Sequence, residues 1–188
     1  DMMAEVAATL AFSTIANNDK VGVIFFSDKI EKFIPAQKGK THVLHIIREL
    51  LSFEPTSTGT DMAQALQYFS NAQKRHCTAF LISDFIGVEG LEKPLMIASN
   101  RHEVNAIQIY DRRETELPNV GLVKFHDAET GQDLWVDTAV ASVREQYASE
   151  WKKNQSRIEQ LCTKTGVKRM SVRTDEDYVK ALMKLFKS

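Results

Sequence analysis

Short, largely apolar runs separated by helical patterns are the feature that most constrains how this 188-residue chain can fold. Three such runs are VGVIFF (21–26), CTAFLIS (77–83) and VNAIQIY (104–110). Each contains β-branched residues and is bounded by polar ones, which is typical of a strand buried on both faces. Because amphipathic helical segments lie between them, the pattern predicts an α/β fold of βαβ units. Such units form a doubly wound, mostly parallel sheet with helices on both faces.

The apolar spacing of the remaining chain predicts further helices and strands. Spacings of three and four residues predict helices at 2–17, 41–53, 61–73, 88–100, from 143 onward, and 175–186. Alternation predicts that IEKFI (30–34) returns beside the first apolar run as a hairpin at a sheet edge, and that 167–173 is a further strand. A second hairpin is predicted over 121–138, around the turn DAETG, and we expect it to extend the edge of the sheet.

Composition and charge are those of a soluble globular protein, since 43% of the residues are hydrophobic and 26% are charged. The formal net charge of −1 gives no general attraction to nucleic acid or anionic lipid. From Arg144 onward there are eleven basic and six acidic residues, which we interpret as the solvated face of a long helix. No apolar stretch approaches the roughly 20 residues that span a bilayer. We therefore expect no nucleic-acid partner and no membrane segment in this chain.

The two cysteines, Cys77 and Cys162, are too few and too far apart for a disulfide framework or a CxxC motif. Each lies in an apolar run, so we expect buried free thiols, a reducing compartment and a cytoplasmic location. His42 and His45 have an i, i+3 spacing that can bind zinc, but no third ligand follows in a recognisable pattern. We therefore expect both histidines to lie at the surface or at the boundary between the polar and apolar sides of the helix.

Thr60 and Asp84 are the residues that the sequence singles out for chemistry. Thr60 lies in EPTSTGTDMAQAL (54–66), where Ser, Thr and Asp side chains precede a helix. Such residues cap the free N–H groups of a first helical turn, and Asp61 adds favourable charge there. The alternative is that Thr60 presents its hydroxyl to a bound ligand. Asp84 ends the second apolar run, and ligands of open α/β sheets bind at the carboxyl ends of the strands.

Three stretches together resemble the von Willebrand factor A-like fold: DKVGVIFFSDKIEKFIP, TGTDMAQAL and FLISDF. The resemblance is to the bacterial group of unknown function often encoded beside MoxR-type AAA+ ATPases, and it covers about residues 2–110 well. It implies a single domain over 1–188 with a Rossmann-type sheet. In this fold the first central strand precedes the first helix. The resemblance therefore implies that this chain is truncated at its N-terminus and lacks that strand.

The same resemblance implies a divalent-metal site, the metal-ion-dependent adhesion site, at the top of the sheet. Thr60 matches its threonine ligand and Asp84 its aspartate ligand, and we expect the two to lie close together. Hydroxyl and carboxylate oxygens suit Mg²⁺ or Mn²⁺. The third element, Asp-x-Ser-x-Ser, occurs nowhere in the 188 residues. We therefore expect the metal in the complete parent protein and none bound in this chain.

In functional terms, the resemblance implies a non-enzymatic protein-interaction module with a degenerate or truncated metal site, working with a MoxR-type AAA+ ATPase. We expect the hairpin over 121–138 and the basic residues of the following helix to form the partner-docking surface; these are Lys152, Lys153 and Arg157. The alternative is an α/β enzyme, a metal-dependent hydrolase or phosphatase-like protein, with a site that the sequence does not reveal. No nucleophile–base pair emerges from the sequence to support an enzyme.

Overall fold

The computed structural model of the protein describes residues 2–126 and 133–186. Helices and strands are interspersed along the chain, as the apolar pattern predicts. In chain order they are α1 (Met2–Asn17), β1 (Val21–Phe26), β2 (Ile30–Gln37), α2 (Lys40–Ser52), α3 (Met62–Ala72), β3 (Thr78–Ser83), α4 (Glu92–Ser99), β4 (Glu103–Tyr110), α5 (Arg112–Thr115), β5 (Leu122–His126), β6 (Asp133–Asp137), α6 (Ala141–Thr165), β7 (Lys168–Arg173) and α7 (Tyr178–Leu185).

The described strands form one three-stranded sheet and two antiparallel pairs. The three-stranded sheet has the order β3-β4-β7, with β4 and β7 parallel, whereas β1 pairs with β2 and β5 pairs with β6. The fold is therefore of the mixed α/β class. The β5–β6 hairpin is a sheet of its own among the described strands, because each of its strands hydrogen-bonds only to the other. The expectation that it extends the sheet edge is wrong, and its turn, DAETG, lies outside the described residues.

The chain divides into two compact units, and the first comprises Asp1–Ile82 and Glu89–Val104. Its core is built where α1 and α2 pack beside the β1–β2 hairpin. The strands of this hairpin approach closely at Gly22, where an added Cβ would lie 2.7 Å from the Ile34 carbonyl oxygen. The buried residues of the core are Ala11, Phe25, Ile34, Val43 and Ile46. These residues come from the two helices and the hairpin that the sequence pattern predicts.

The second unit comprises Ser83–Val88 and Asn105–Ser188. In it β4 and β7 are in parallel register from Asn105↔Lys168 to Tyr110↔Arg173. The long helix α6 ends at Gly166, whose φ of 69° is a left-handed conformation that favours glycine. The most buried apolar side chains of this unit are Phe85, which follows β3, and four from β4, α6 and β7: Ala106, Ile107, Ile158 and Val172. The alternation of strand and helix therefore builds this core too.

Two helices begin later than their apolar spacing predicts. Helix α4 begins at Glu92 rather than near residue 88, because Gly87 and Gly90 have positive φ angles of 74° and 77° that lie outside a helix. Helix α7 begins after Asp177, whose side chain accepts a hydrogen bond from the Val179 N–H at 3.0 Å. An aspartate in this position satisfies an otherwise free N–H group of the first turn, so the cap determines where the helix starts.

None of the described helices has the length and apolar character required to cross a membrane. Both cysteines are free, as the sequence predicts. Cys162 is buried, whereas Cys77 is only half-buried. The expected burial is therefore found for Cys162 and only in part for Cys77.

Candidate functional site

Thr60 lies directly before α3 and is exposed. The helix is capped by the next residue, Asp61, whose Oδ1 accepts a hydrogen bond from the Gln64 N–H at 2.8 Å. The Asp61 N–H also donates to the Ser27 carbonyl at 2.8 Å, which fixes the loop beside the end of β1. Among the described residues the Thr60 hydroxyl has no hydrogen-bond partner. Thr60 is therefore not the cap of α3, and its hydroxyl is open to solvent.

A polar cluster that sequence reasoning missed lies beside this loop. Ser27 is buried and donates from Oγ to Glu31 Oε1 at 2.7 Å, and the Thr56 hydroxyl donates to Glu31 Oε2 at 2.7 Å. These two hydrogen bonds, the one from Thr56 first, lower the pKa of Glu31. Asp28 packs against Gly59, where an added Cβ would lie 3.2 Å from the Asp28 Cβ. The signal is present in the sequence, because Ser27 and Asp28 stand directly after the first apolar run.

Asp84 lies in a tight turn directly after β3. Its Oδ1 accepts a hydrogen bond from the Ile86 N–H at 3.1 Å, and its carbonyl accepts one from Gln108 Nε2 at 3.0 Å. The next residue, Phe85, is fully buried with a left-handed φ of 58°, and its carbonyl accepts from Asn154 Nδ2 at 3.3 Å. Such a conformation is uncommon for a bulky residue and persists only where surrounding contacts hold it. The turn therefore presents Asp84 in a well-defined orientation.

Further acidic side chains of the second unit lie within electrostatic range of Asp84. Burial raises the pKa of Glu114, and the negative charges of Asp84 and Asp111 raise it further. Glu114 Oε1 accepts a hydrogen bond from the Asp111 N–H at 2.8 Å, and the Asp111 side chain in turn caps α5. Burial and then the charge of Glu114 raise the pKa of Tyr147. The charge of Asp84 therefore acts on Glu114, whose ionised form burial already disfavours.

Thr60 and Asp84 fit the implied divalent ion in donor type, because Mg²⁺ takes hydroxyl and carboxylate oxygens together with water. Within the described residues, no three His, Cys, Asp or Glu side chains are grouped so that they already form a metal site. Thr60 belongs to the first unit and Asp84 to the second. Their proximity therefore stays a prediction.

The β5–β6 hairpin exposes large apolar side chains. Its strands are antiparallel, and Lys124 Nζ forms an ion pair across them with Asp133 at 2.7 Å. The exposed apolar side chains are Leu122 (64%), Phe125 (37%), Leu134 (64%) and Trp135 (61%). By the strand register, Phe125 and Leu134 lie opposite each other on one face of the hairpin, whereas Leu122 and Trp135 lie on the other face. We call these four exposed side chains together the hairpin patch.

Thr138 holds the base of the hairpin. It is 1% exposed, and its hydroxyl donates to the Gly121 carbonyl at 2.7 Å and accepts from the Val120 N–H at 3.0 Å. Arg144 Nη1 donates to the Thr138 carbonyl at 2.6 Å, which ties the base to the first turn of α6. The exposure of the hairpin patch is therefore a property of a fixed hairpin and not of a frayed one.

Helix α6 carries the three basic residues predicted for docking on its exposed side: Lys152, Lys153 and Arg157. Lys153 forms an ion pair with Glu150 one turn earlier, at 2.6 Å. On the opposite side of the helix, Trp151 packs against Tyr110 with ring centroids 5.0 Å apart. Packing therefore fixes which side of α6 faces the solvent.

Comparison with known proteins places the chain among uncharacterized relatives. A family model described as a protein of unknown function, DUF58, matches residues 1–157. The uncharacterized protein Rv1480 of Mycobacterium tuberculosis is 27% identical over 192 residues, which cover 100% of this chain and 60% of that protein. The uncharacterized protein MAV169 of Mycobacterium avium is 29% identical over 159 residues, which cover 82% of this chain and 92% of that protein. The chain thus spans 60% of the length of the longer relative.

Two solved structures share the fold at low sequence identity. The conserved hypothetical protein BatB from Bacteroides thetaiotaomicron is 16% identical, with a TM-score of 0.54 over 98% of this chain and 89% of that one. An aerotolerance-related membrane protein from Bacteroides fragilis, with multiple mutations to serine, is also 16% identical, with a TM-score of 0.60 over the same shares. At this identity the similarity concerns the fold alone.

Proposed function

The chain belongs to the DUF58 family of proteins of unknown function, and from this membership and its surface we propose that it is a non-enzymatic protein-interaction module. Its partner in this proposal is a MoxR-type AAA+ ATPase, which the sequence resemblance implies. The observation that carries the proposal is the hairpin patch, where four large apolar side chains are exposed on a fixed base.

An isolated two-stranded hairpin is at best marginally stable in water. Large apolar side chains exposed to water make such a hairpin less favourable still. Large apolar patches on a soluble protein mark sites of interaction with other molecules. Trp135 supports a protein partner in particular, because tryptophan is enriched among the residues that contribute most to protein–protein binding. We therefore propose that an apolar groove on the ATPase receives the hairpin and covers the apolar side chains on both of its faces.

We propose that the basic side of α6 forms the charged rim of the same interface. Lys152, Lys153 and Arg157 are exposed, and exposed charges at the rim of an interface act mainly on the rate of encounter with an oppositely charged partner. We propose that they guide an acidic surface of the ATPase toward the second unit. The free cysteines are in keeping with a reducing, cytoplasmic setting for that encounter.

In this proposal the protein binds Mg²⁺ or Mn²⁺ through two oxygen ligands, one from Thr60 and one from Asp84. A bound ion of this kind supplies an open coordination position that a carboxylate of the partner completes. Thr60 is suited to the role because its hydroxyl has no partner among the described residues. Asp84 is suited because hydrogen bonds from the Ile86 N–H and from Gln108 hold its turn in place.

The edges of β1 and β3, both in the first unit, support the von Willebrand factor A-like form of the fold. Each strand has a strand neighbour on one side only among the described residues, β2 for β1 and β4 for β3. Their apolar runs are only partly buried, although runs of this kind are usually covered on both faces. We propose that a further strand pairs between β1 and β3, which also removes two open edges that would promote aggregation.

The experiment compares binding to a purified MoxR-type ATPase by the unaltered chain and by a Leu134→Ala, Trp135→Ala double variant. Removing central apolar anchors typically costs about 2 kcal/mol or more, which is roughly a 30-fold increase in Kd. The matched control is Leu51→Ala, which truncates a leucine that is 72% exposed in the first unit. An unchanged Kd in the double variant, with an unchanged melting temperature, contradicts the proposal.

The enzyme alternative is tested in the same preparations. A panel of phosphatase and hydrolase substrates is assayed with Mg²⁺ or Mn²⁺ against the unaltered chain and Asp84→Ala. The interaction-module proposal expects no turnover above that of the buffer in either protein. Metal-dependent turnover that disappears in Asp84→Ala would replace it with an enzyme.

A further inference from the structure

We propose that Cys77, His102 and His76 form a zinc-binding site in the first unit, at the start of β3 and β4. The site is separate from Thr60 and Asp84 and does not rest on the proposed function. Its donors differ in kind, because thiolate and imidazole are the ligands of Zn²⁺ whereas Mg²⁺ takes oxygen.

The start of β4 brings two of the donors together. The Glu103 N–H donates to the Cys77 carbonyl at 3.0 Å, so His102 lies next to Cys77 although the two are far apart in sequence. Cys77 Sγ and His102 Nδ1 are 3.6 Å apart. A tetrahedral zinc ion with Zn–S of about 2.3 Å and Zn–N of about 2.0–2.1 Å places its sulfur and nitrogen ligands about 3.5 Å apart. The pair therefore already has the spacing of two zinc ligands.

The His102 ring is held in place by packing rather than by a full set of hydrogen bonds. It is 3% exposed and packs against Phe69 with ring centroids 4.7 Å apart. Its Nε2 has no hydrogen-bond partner among the described residues. Zinc at Nδ1 would place the ring proton on Nε2 and fix the orientation of the ring.

His76 completes the site from the surface. Its side chain is exposed, and its ring centroid lies 6.4 Å from that of His102. Two imidazoles on one tetrahedral zinc have centroids about 5 Å apart, so a modest rotation of His76 brings it into the shell. Among the described residues the three donors do not yet surround one point. Cys77 and His102 are already in contact, and His76 must rotate to become the third ligand. A water molecule takes the fourth position.

The test is a titration of the purified chain, free of any histidine tag, with Zn²⁺ in competition with a chromophoric chelator. We expect one Zn²⁺ per chain, and with Co²⁺ a thiolate-to-metal charge-transfer band. Cys77→Ser and His76→Ala should each weaken zinc binding by at least the roughly 10-fold typical of perturbed zinc sites. The Co²⁺ band should disappear in Cys77→Ser. His76 is exposed, so its variant also separates ligand loss from misfolding.

The matched control is His45→Ala, which removes an exposed histidine of α2 that forms an ion pair with Glu49. It should leave zinc affinity unchanged. Equal zinc affinity in the unaltered chain and in Cys77→Ser overturns the site. So does a chain that takes up no zinc at micromolar concentration, since the cysteine and the histidine are then only a hydrogen-bonded pair.

Discussion

Thr60 and Asp61 are adjacent residues, yet their surroundings differ. Asp61 accepts a hydrogen bond from the Gln64 N–H and donates its own N–H to Ser27, so both of its polar ends are used within the fold. The Thr60 hydroxyl has no such partner among the described residues. The stability of α3 therefore depends on Asp61, which leaves Thr60 to a role outside helix capping.

This difference gives a prediction for the two substitutions. Asp61→Ala should lower the free energy of unfolding by about 1 kcal/mol, which is typical of losing an N-cap. Thr60→Ala should change it by no more than about 0.5 kcal/mol, as is usual at exposed positions. Urea unfolding of both variants measures the difference. A Thr60→Ala variant as destabilised as Asp61→Ala would return Thr60 to a structural role.

Glu114 gives a second prediction at the residue scale, because burial and neighbouring charges raise its pKa. When a carboxyl has a higher pKa in the folded protein than in the unfolded one, its ionisation lowers the free energy of unfolding. This loss is absent below the pKa of the unfolded state and is complete once the pH has risen through the pKa of the folded state. Glu114→Gln cannot ionise. Its stability relative to the unaltered chain should therefore increase between about pH 4 and pH 7. Urea unfolding across this range tests the trend.

The matched control for Glu114 is Glu145→Gln, on the exposed side of the second unit. Its stability difference from the unaltered chain should be smaller and should show no comparable increase with pH. Parallel pH profiles for Glu114→Gln and Glu145→Gln would show that burial and the charges of Asp84 and Asp111 do not act on Glu114 as described.

At the scale of elements, the sequence predicts each helix and strand well where the local apolar period is strong. The strand VGVIFF and the first helix agree with β1 and α1 in their bounds. The isolation of the β5–β6 hairpin was not predictable in the same way, because pairing beyond a hairpin depends on residues distant in the chain. The start of α4 was missed for a local reason, the positive φ of Gly90, which periodicity does not reveal.

The basic side of α6 carries the prediction at this scale. Replacing Lys152, Lys153 and Arg157 together by Ala should slow association with the MoxR-type ATPase and reduce its dependence on salt, because rim charges act on encounter. Surface plasmon resonance at several salt concentrations measures both. Thermal stability should change by no more than about 1 kcal/mol, although Lys153 loses its ion pair with Glu150.

The control for this variant removes three exposed lysines from the first unit: Lys20, Lys38 and Lys74. Both triple variants change the net charge equally, so only a local effect of α6 distinguishes them. An equal loss of association rate in the two would indicate a general charge effect. Unchanged rates in the α6 variant would leave its basic residues as a solvated helix face.

At the scale of the whole molecule, fold and site are specified by different parts of the sequence. Two solved structures share the fold at 16% identity, because many sequences satisfy the same order of apolar runs and helices. A site depends on single residues whose neighbours are brought in by the fold. The sequence therefore indicated Thr60 and Asp84 but missed Glu31 and the Cys77–His102 pair, whose partners are distant in the chain.

The last prediction concerns divalent metal and belongs to the whole molecule, because its ligands come from distant parts of the chain. An ion that binds the native state raises stability by RT ln(1 + [L]/Kd), about 2.7 kcal/mol at one hundred times Kd. In the 188-residue chain Mg²⁺ or Mn²⁺ should change the melting temperature little. In a chain that carries an Asp-x-Ser-x-Ser strand ahead of α1, metal should raise the melting temperature, and EDTA should reverse the rise.

Thr60→Ala and Asp84→Ala should each abolish the rise, whereas Thr58→Ala should retain it. Cys77→Ser should retain it too, which separates this ion from the proposed zinc. If the longer chain melts at the same temperature with and without metal, Thr60 and Asp84 are not its ligands.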